Sequence, residues 1–119
     1  MPEVNTYTGG CHCGRVRYEA TTNLAQVVRC NCSICTKRGA MWSFVKPEQF
    51  TLLKGESEQS DYQFAKKVLH HLFCPSCGIG SFSTGQAPSG GKTYALNVRC
   101  LDGVDIETLK TTPFDGKRL

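Results

Sequence analysis

The stretch CPSCG at residues 74–78 sets two thiols three positions apart, with Pro75 between them and Gly78 just after. A C-x-x-C pair on a tight turn aims both sulfurs at one ion. Pro75 stiffens the turn, and Gly78 lets the backbone bend around a metal and bring an amide near a sulfur. This zinc-knuckle form supplies two ligands, whereas a closed zinc site takes four. Cys11-His12-Cys13-Gly14 offers a natural second pair. A C-x-C pair strains as a disulfide, but two extended residues can converge on a metal. Joining Cys11 and Cys13 to Cys74 and Cys77 gives a four-cysteine structural site that ties the N-terminal part of the chain to its middle. Such a site contributes folding free energy directly.

A third cluster, CNCSIC at residues 30–35, places Cys30, Cys32 and Cys35 within six positions. It supplies three ligands, the number typical of a zinc site that keeps one position open for chemistry. An open site rich in thiolate takes a soft incoming ligand, and a substrate thiol is the obvious one. Metal-bound thiols are deprotonated, so such a site can present a thiolate to an electrophile at neutral pH. The fourth position can also be closed from within. His12, His70, His71, Cys100 and Asp102 are the candidates. His70 and His71 are adjacent in an expected strand and therefore point to opposite faces, so only one of them can face a given site.

The rest of the chain fits a small domain stapled by metal. It has 119 residues, 39% of them hydrophobic, and eight cysteines. That size implies one domain with a modest core. The N-terminal MPEVNTYTGG lacks the apolar segment of a secretory signal, and no run of about 18 apolar residues offers a membrane span. A cytoplasmic setting follows, where thiols stay reduced and bind metal rather than form disulfides. The formal net charge of +4 hints at nucleic acid. Seven thiolates subtract seven and two zinc ions add four, leaving +1. Lys37-Arg38, Lys66-Lys67 and Lys117-Arg118 are the densest basic clusters. Neither nucleic acid nor membrane is therefore expected as a partner.

The secondary-structure pattern is mostly β, with short antiparallel strands. Residues 15–20 alternate, with Val16, Tyr18 and Ala20 on one face. Residues 24–29, 40–45, 51–53, 61–64, 67–73, 79–83 and 93–99 read as further strands. Pro47–Phe50 is a turn, Gly55–Ser60 is a polar turn, and Thr84–Lys92 (TGQAPSGGK) is a flexible loop. One helical turn is expected after Cys32.

GGCHCGRVRYE at 9–19, CNCSIC at 30–35, FCPSCG at 73–78 and NVRCLD at 97–102 occur in the order and spacing of a known family. Together they resemble the glutathione-dependent formaldehyde-activating enzymes, a family that also includes centromere protein V. The Pro47-x-x-Phe50 turn followed by Gly55-Glu56 fits as well. The resemblance covers about residues 9–106 and implies a single zinc-binding domain across 1–119 with a β-tent fold. It implies two zinc ions. One is structural, on Cys11, Cys13, Cys74 and Cys77. The other is exchangeable, on Cys30, Cys32 and Cys35, which would be the catalytic residues. It also implies a carbon–sulfur lyase activity that joins glutathione and formaldehyde into S-hydroxymethylglutathione. On that reading Lys37 and Arg38 can meet the carboxylates of glutathione, and Trp42 and Phe44 can wall the pocket. Asn31 stands where many members carry His, and an amide side chain transfers no proton. The alternative is a non-catalytic thiol- or zinc-binding module of the same fold.

Overall fold

The alternation around Tyr18 sends its apolar set inward. In the computed structural model, which describes residues 4–30, 33–55, 59–62, 70–86 and 91–114, Val16, Tyr18 and Ala20 are at most 1% exposed. Tyr18 and Ala20 belong to β2 (Arg17–Thr22), the centre of a three-stranded antiparallel sheet flanked by β1 (Asn5–Gly10) and β5 (Phe50–Lys54). A five-stranded sheet contains β3 (Val27–Cys30), β4 (Trp42–Val45), β8 (Phe82–Gln86), β9 (Lys92–Asn97) and β10 (Thr111–Phe114), in the order β10-β3-β4-β9-β8. A third, two-stranded piece pairs β6 (Ser60–Tyr62) with β7 (His71–Phe73). Mutual backbone bonds between His70 and Thr84, at 2.8 and 3.1 Å, carry β7 onto the free edge of β8. The protein is mostly β, built from short sheets.

Aromatic rings fill the space between the two larger sheets. Tyr18 packs on Phe50 at 5.1 Å and edge-on to Phe82 at 5.5 Å. Its hydroxyl donates to the Ser81 carbonyl at 2.9 Å, so one residue supplies both apolar area and a polar tie between sheets. Burying each such ring stabilises the fold by roughly 1.5–3 kcal/mol.

Register assigns the two faces of the five-stranded sheet. Ser43 opposes Leu96 and Val45 opposes Tyr94, and Val45, Leu96 and Tyr94 belong to the main core. Trp42 opposes Asn97 and Phe44 opposes Ala95 on the outer face. Because Ser83 opposes Ala95 and Thr84 opposes Tyr94, the outer row continues through Ser83 and the inner row through Thr84.

Several elements depart from the pattern read in the sequence. The strand expected at 24–29 begins only at Val27. Leu24 sits at φ +53, and the side chains of Thr22 and Asn23 accept from the amides of Leu24 and Ala25. Short polar side chains compete there for the backbone that a ladder would need. The strand expected at 93–99 ends at Asn97, whose side chain accepts from the Arg99 amide and starts a 3-10 turn over Val98–Cys100. The strand expected at 79–83 starts at Phe82 and runs to Gln86, into the segment read as a loop. Pro47–Gln49 forms a 3-10 turn, as the proline suggested. Residues 56–58, 63–69 and 87–90, where parts of the expected turn, strands and loop fall, lie outside the described residues. Strands β1 and β10 were not expected. β10 pairs with β3 in parallel, an exception to the antiparallel pattern, and its Pro113 is tolerated on a sheet edge.

Candidate metal centre

Two turns bring four sulfurs together. After β1, the Cys11 amide donates to the Val16 carbonyl at 3.1 Å, and Gly14 at φ +84 reverses the chain behind Cys13. After β7, the Cys74 amide donates to the Ile79 carbonyl at 3.0 Å. The Gly78 amide donates to the Cys74 carbonyl at 2.7 Å. Gly78 itself lies at φ +79, where a side chain would be strained. The ligand atoms of Cys11, Cys13, Cys74 and Cys77 all lie within 4.8 Å of one another. Cys13 Sγ is 3.6 Å from both Cys11 Sγ and Cys74 Sγ. Sulfurs bonded at about 2.3 Å to one tetrahedral zinc stand roughly 3.8 Å apart, so the spacing fits such an ion.

Electrostatics favour a cation there. Burial pushes the Cys77 thiol up, but amides of Cys13 and Ile79 and the sulfurs of Cys11 and Cys74 outweigh it and bring Cys77 down to about 6. The Arg15 amide lowers Cys13, yet burial and the three neighbouring sulfurs push it up to about 11. One thiol ionises at the expense of the next. A divalent cation removes that conflict and lets all four bind as thiolates.

The described residues also give part of the CNCSIC cluster. Cys30 ends β3, and Cys35 lies in a short helix, α1 (Ser33–Arg38); Cys32 lies outside the described residues. Gly39 ends α1 at φ +68, its amide donating to the Cys35 carbonyl at 2.9 Å. Cys35 is buried with Trp42 and Ala40, and Cys30, Val28, Ile34 and Ala95 pack against them. The indole nitrogen of Trp42 donates to Cys35 Sγ at 3.2 Å. This cluster therefore lies on the outer face of the five-stranded sheet.

The sequence profile described as "Glutathione-dependent formaldehyde-activating enzyme" matches residues 6–113. The protein belongs to the glutathione-dependent formaldehyde-activating enzyme family. A crystal structure of a Rhodobacter sphaeroides protein, a structural-genomics target, is similar at a TM-score of 0.78 and 33% identity. The match covers 89% of this chain and 97% of that one.

Within this member of the family, the candidate fourth ligands separate. Cys100 lies in electrostatic range of Cys11 and Cys77, beside the four-cysteine set, where burial and those sulfurs push its thiol up to about 11. Asp102 pairs with Arg17 and accepts from Thr8 Oγ1 at 2.8 Å. His12 is exposed. His70 shares the inner row with Thr84, and its Nδ1 is 2.6 Å from Asp61 Oδ2. His71 is one residue on and therefore falls on the outer row with Ser83 and Ala95, on the same face as Trp42. It is 6% exposed. Burial, and then the positive charge of Arg38, hold it below the ordinary histidine range.

Lys37 and Arg38 are exposed in the last turn of α1. A Cβ on Gly80 would lie 2.7 Å from Arg38 Nη1, so glycine makes room for the guanidinium there. Asn97 and Arg99 complete the surround. Asn97 Nδ2 donates to the Gly80 carbonyl at 3.0 Å, and Arg99 Nε donates to the Gly39 carbonyl at 3.0 Å. Neither was singled out in the sequence as a site residue, although both fall in or beside the NVRCLD motif. Phe44 is 56% exposed on the outer face and belongs to neither core cluster.

Proposed function

We propose that this protein is a carbon–sulfur lyase that joins a small thiol, glutathione in the first instance, to formaldehyde beside Cys30, Cys32 and Cys35. The observation that carries the reading is the separation of the cysteines. Cys11, Cys13, Cys74 and Cys77 suffice for one ion, while Cys30 and Cys35 share a different face with Trp42, Arg38 and His71.

On this reading Cys11, Cys13, Cys74 and Cys77 hold a structural zinc, and Cys30, Cys32 and Cys35 hold a second. The second zinc, when bound, supplies the positive charge that keeps a substrate thiol deprotonated and oriented. Trp42 fixes Cys35 by its hydrogen bond and disperses charge on that sulfur. Lys37 and Arg38 add two positive charges for the carboxylates of glutathione. The thiolate sulfur of the substrate forms a bond to the formaldehyde carbon, and the carbonyl electron pair moves to oxygen. One proton completes the hydroxymethyl thioether. Asn31 cannot supply it. His71 lies on the correct face and can relay it from solvent once protonated. The reverse sequence returns thiol and aldehyde. The described residues contain no helix long and apolar enough to cross a membrane, and we place the reaction in the cytoplasm, where glutathione is abundant.

Exchange spectroscopy with 13C-formaldehyde and glutathione tests the activity. The zinc-loaded protein should raise the rate of S-hydroxymethylglutathione formation above the spontaneous rate, and Cys32→Ser should remove the gain. A rate equal to background with thiol still bound would replace the enzyme by a thiol-binding module.

A further inference from the structure

The inner face of the five-stranded sheet, the side away from Trp42 and Cys35, borders a cavity of about 440 Å³ between β5, β7, β8 and β9. The volume falls in the range of small-molecule sites. Its apolar wall is aromatic. Phe50 and Tyr94 stack at 4.1 Å and 12°, and Phe82 meets Phe50 at 4.9 Å. With Tyr18 and Phe82 against Phe50 on its other side, a flat ring meets the edges of this aromatic group.

Three polar groups set what else such a ligand carries. Lys92 lines the cavity with Nζ 4.9 Å from the centre of the Tyr94 ring. Among the described residues it forms no ion pair with a carboxylate. It is a cation already placed over the aromatic wall, suited to an anion attached to a ring. His70 also lines the cavity, and Asp61 holds its Nδ1 at 2.6 Å, which fixes the ring and leaves Nε2 for another partner. Gln59 Oε1 is buried at the cavity and, among the described residues, accepts no hydrogen bond. A buried amide oxygen without a donor is costly, and a ligand N–H or O–H meets that need.

We propose that this cavity is a second binding site, taking a small aromatic carboxylate that bears an N–H or O–H donor on its ring. The ring lies against Phe50 and Tyr94, the carboxylate reaches Lys92, and the donor meets Gln59. The site is separate from the thiol chemistry proposed on the outer face.

Indole-3-acetate has these three features and serves as the probe, with the zinc-loaded full chain. Titration calorimetry should give saturable binding with a dissociation constant on the order of 100 µM for a ligand of this size. Amide resonances of His70, Phe82 and Tyr94 should shift. Lys92→Met, which keeps the apolar stem, should weaken binding about tenfold, while neutral indole-3-acetamide should bind both proteins alike. Benzothiophene-3-acetate replaces the ring N–H by sulfur and should bind several-fold more weakly than indole-3-acetate. Gln59→Leu should erase that difference. Cys32→Ser should leave the affinity unchanged, since Cys30 and Cys35, with which it is proposed to act, lie on the other face. Lack of saturation, equal affinity in Lys92→Met, or loss of binding in Cys32→Ser would overturn the assignment.

Discussion

The indole N–H of Trp42 donates to the sulfur of Cys35 at 3.2 Å across seven residues of sequence. The contact couples a core residue of β4 to a thiol of the short helix. With Cys35 as the proposed metal ligand, such a hydrogen bond orients the sulfur, and contacts of this kind commonly contribute 10–100-fold in metal affinity. Trp42→Phe keeps an aromatic ring but removes the donor. It should raise the dissociation constant for zinc at Cys30, Cys32 and Cys35 by about tenfold or more in chelator competition, and leave the four-cysteine site unchanged. Equal competition curves would remove Trp42 from the metal site.

Cys74 is fully buried and sits at a crossing of four thiols from two distant turns, whereas the CNCSIC thiols come from one short segment. The two sets should therefore differ in what metal loss does. Mild chelation should remove one zinc while the thermal transition stays cooperative. Cys74→Ser should abolish cooperative unfolding, because it removes a ligand from the site that joins β1 to β7. Cys35→Ser should lower metal content by one ion and move the melting temperature far less.

The four-cysteine cluster was legible in the sequence, because metal ligation turns spacing into geometry. The CPSCG and CHCG stretches each carry thiols and a following glycine, and both glycines adopt positive φ behind the sulfurs. Val16, Tyr18 and Ala20 were legible because a period of two has one physical reading in a half-buried strand. The face of His71 was not. Adjacent residues in a strand point oppositely, but which one points where depends on the His70–Thr84 pairing, a contact fourteen residues apart in sequence. Strand β1 was hidden by Gly9 and Gly10, which weaken strand propensity. Both are needed for packing: a Cβ on Gly10 would lie 2.0 Å from the Val16 carbonyl oxygen. Parallel pairing of β10 with β3 leaves no local signal, since nothing short of the whole chain brings residues 111–114 beside 27–30.

Tyr18 ties the sheets through its hydroxyl, which donates to the Ser81 carbonyl while the ring is wholly buried. Tyr18→Phe keeps the ring and removes the bond. The Ser81 carbonyl still accepts from the Asn97 amide at 3.0 Å, which limits the loss. The change should cost about 1 kcal/mol, or a melting temperature lower by about 3–6 °C, with metal content unchanged.

Gly80 and Gly55 should respond differently to alanine. At Gly80 the new Cβ meets the end of Arg38, a flexible side chain that can move aside, and the Leu72 carbonyl oxygen at 3.2 Å, where a shift of a few tenths of an ångström relieves the contact. Gly80→Ala should leave the melting temperature within a few degrees but displace the guanidinium, raising KM for glutathione more than it lowers kcat. At Gly55, φ is +97 and the Cβ would lie 2.6 Å from the Arg15 carbonyl oxygen. Gly55→Ala should therefore lower stability by about 1–3 kcal/mol. Equal melting temperatures for the two variants would refute the contrast.

His71 gives the fold a pH dependence whose sign is fixed by its surroundings. Burial disfavours the charged ring, Arg38 and His70 add like charge, and Asp61 offsets only part of this, so its folded pKa lies below the unfolded value of 6.5. Between those two values the unfolded chain binds more protons than the folded one, and stability rises with pH. The contribution is fully present above pH 6.5 and is lost as pH falls through that window. On the proposed zinc reading, protonation of the ligand thiolates also weakens the fold in acid, but it acts in every variant. His71→Gln lacks the titrating ring and should lose less melting temperature than the wild type between pH 7 and pH 5. The same variant should slow hydroxymethyl transfer at neutral pH with little change in glutathione binding, and added imidazole should restore part of the rate. Parallel stability profiles would mean that the ring is solvated rather than enclosed. An unchanged rate would leave the proton relay to another group on the outer face.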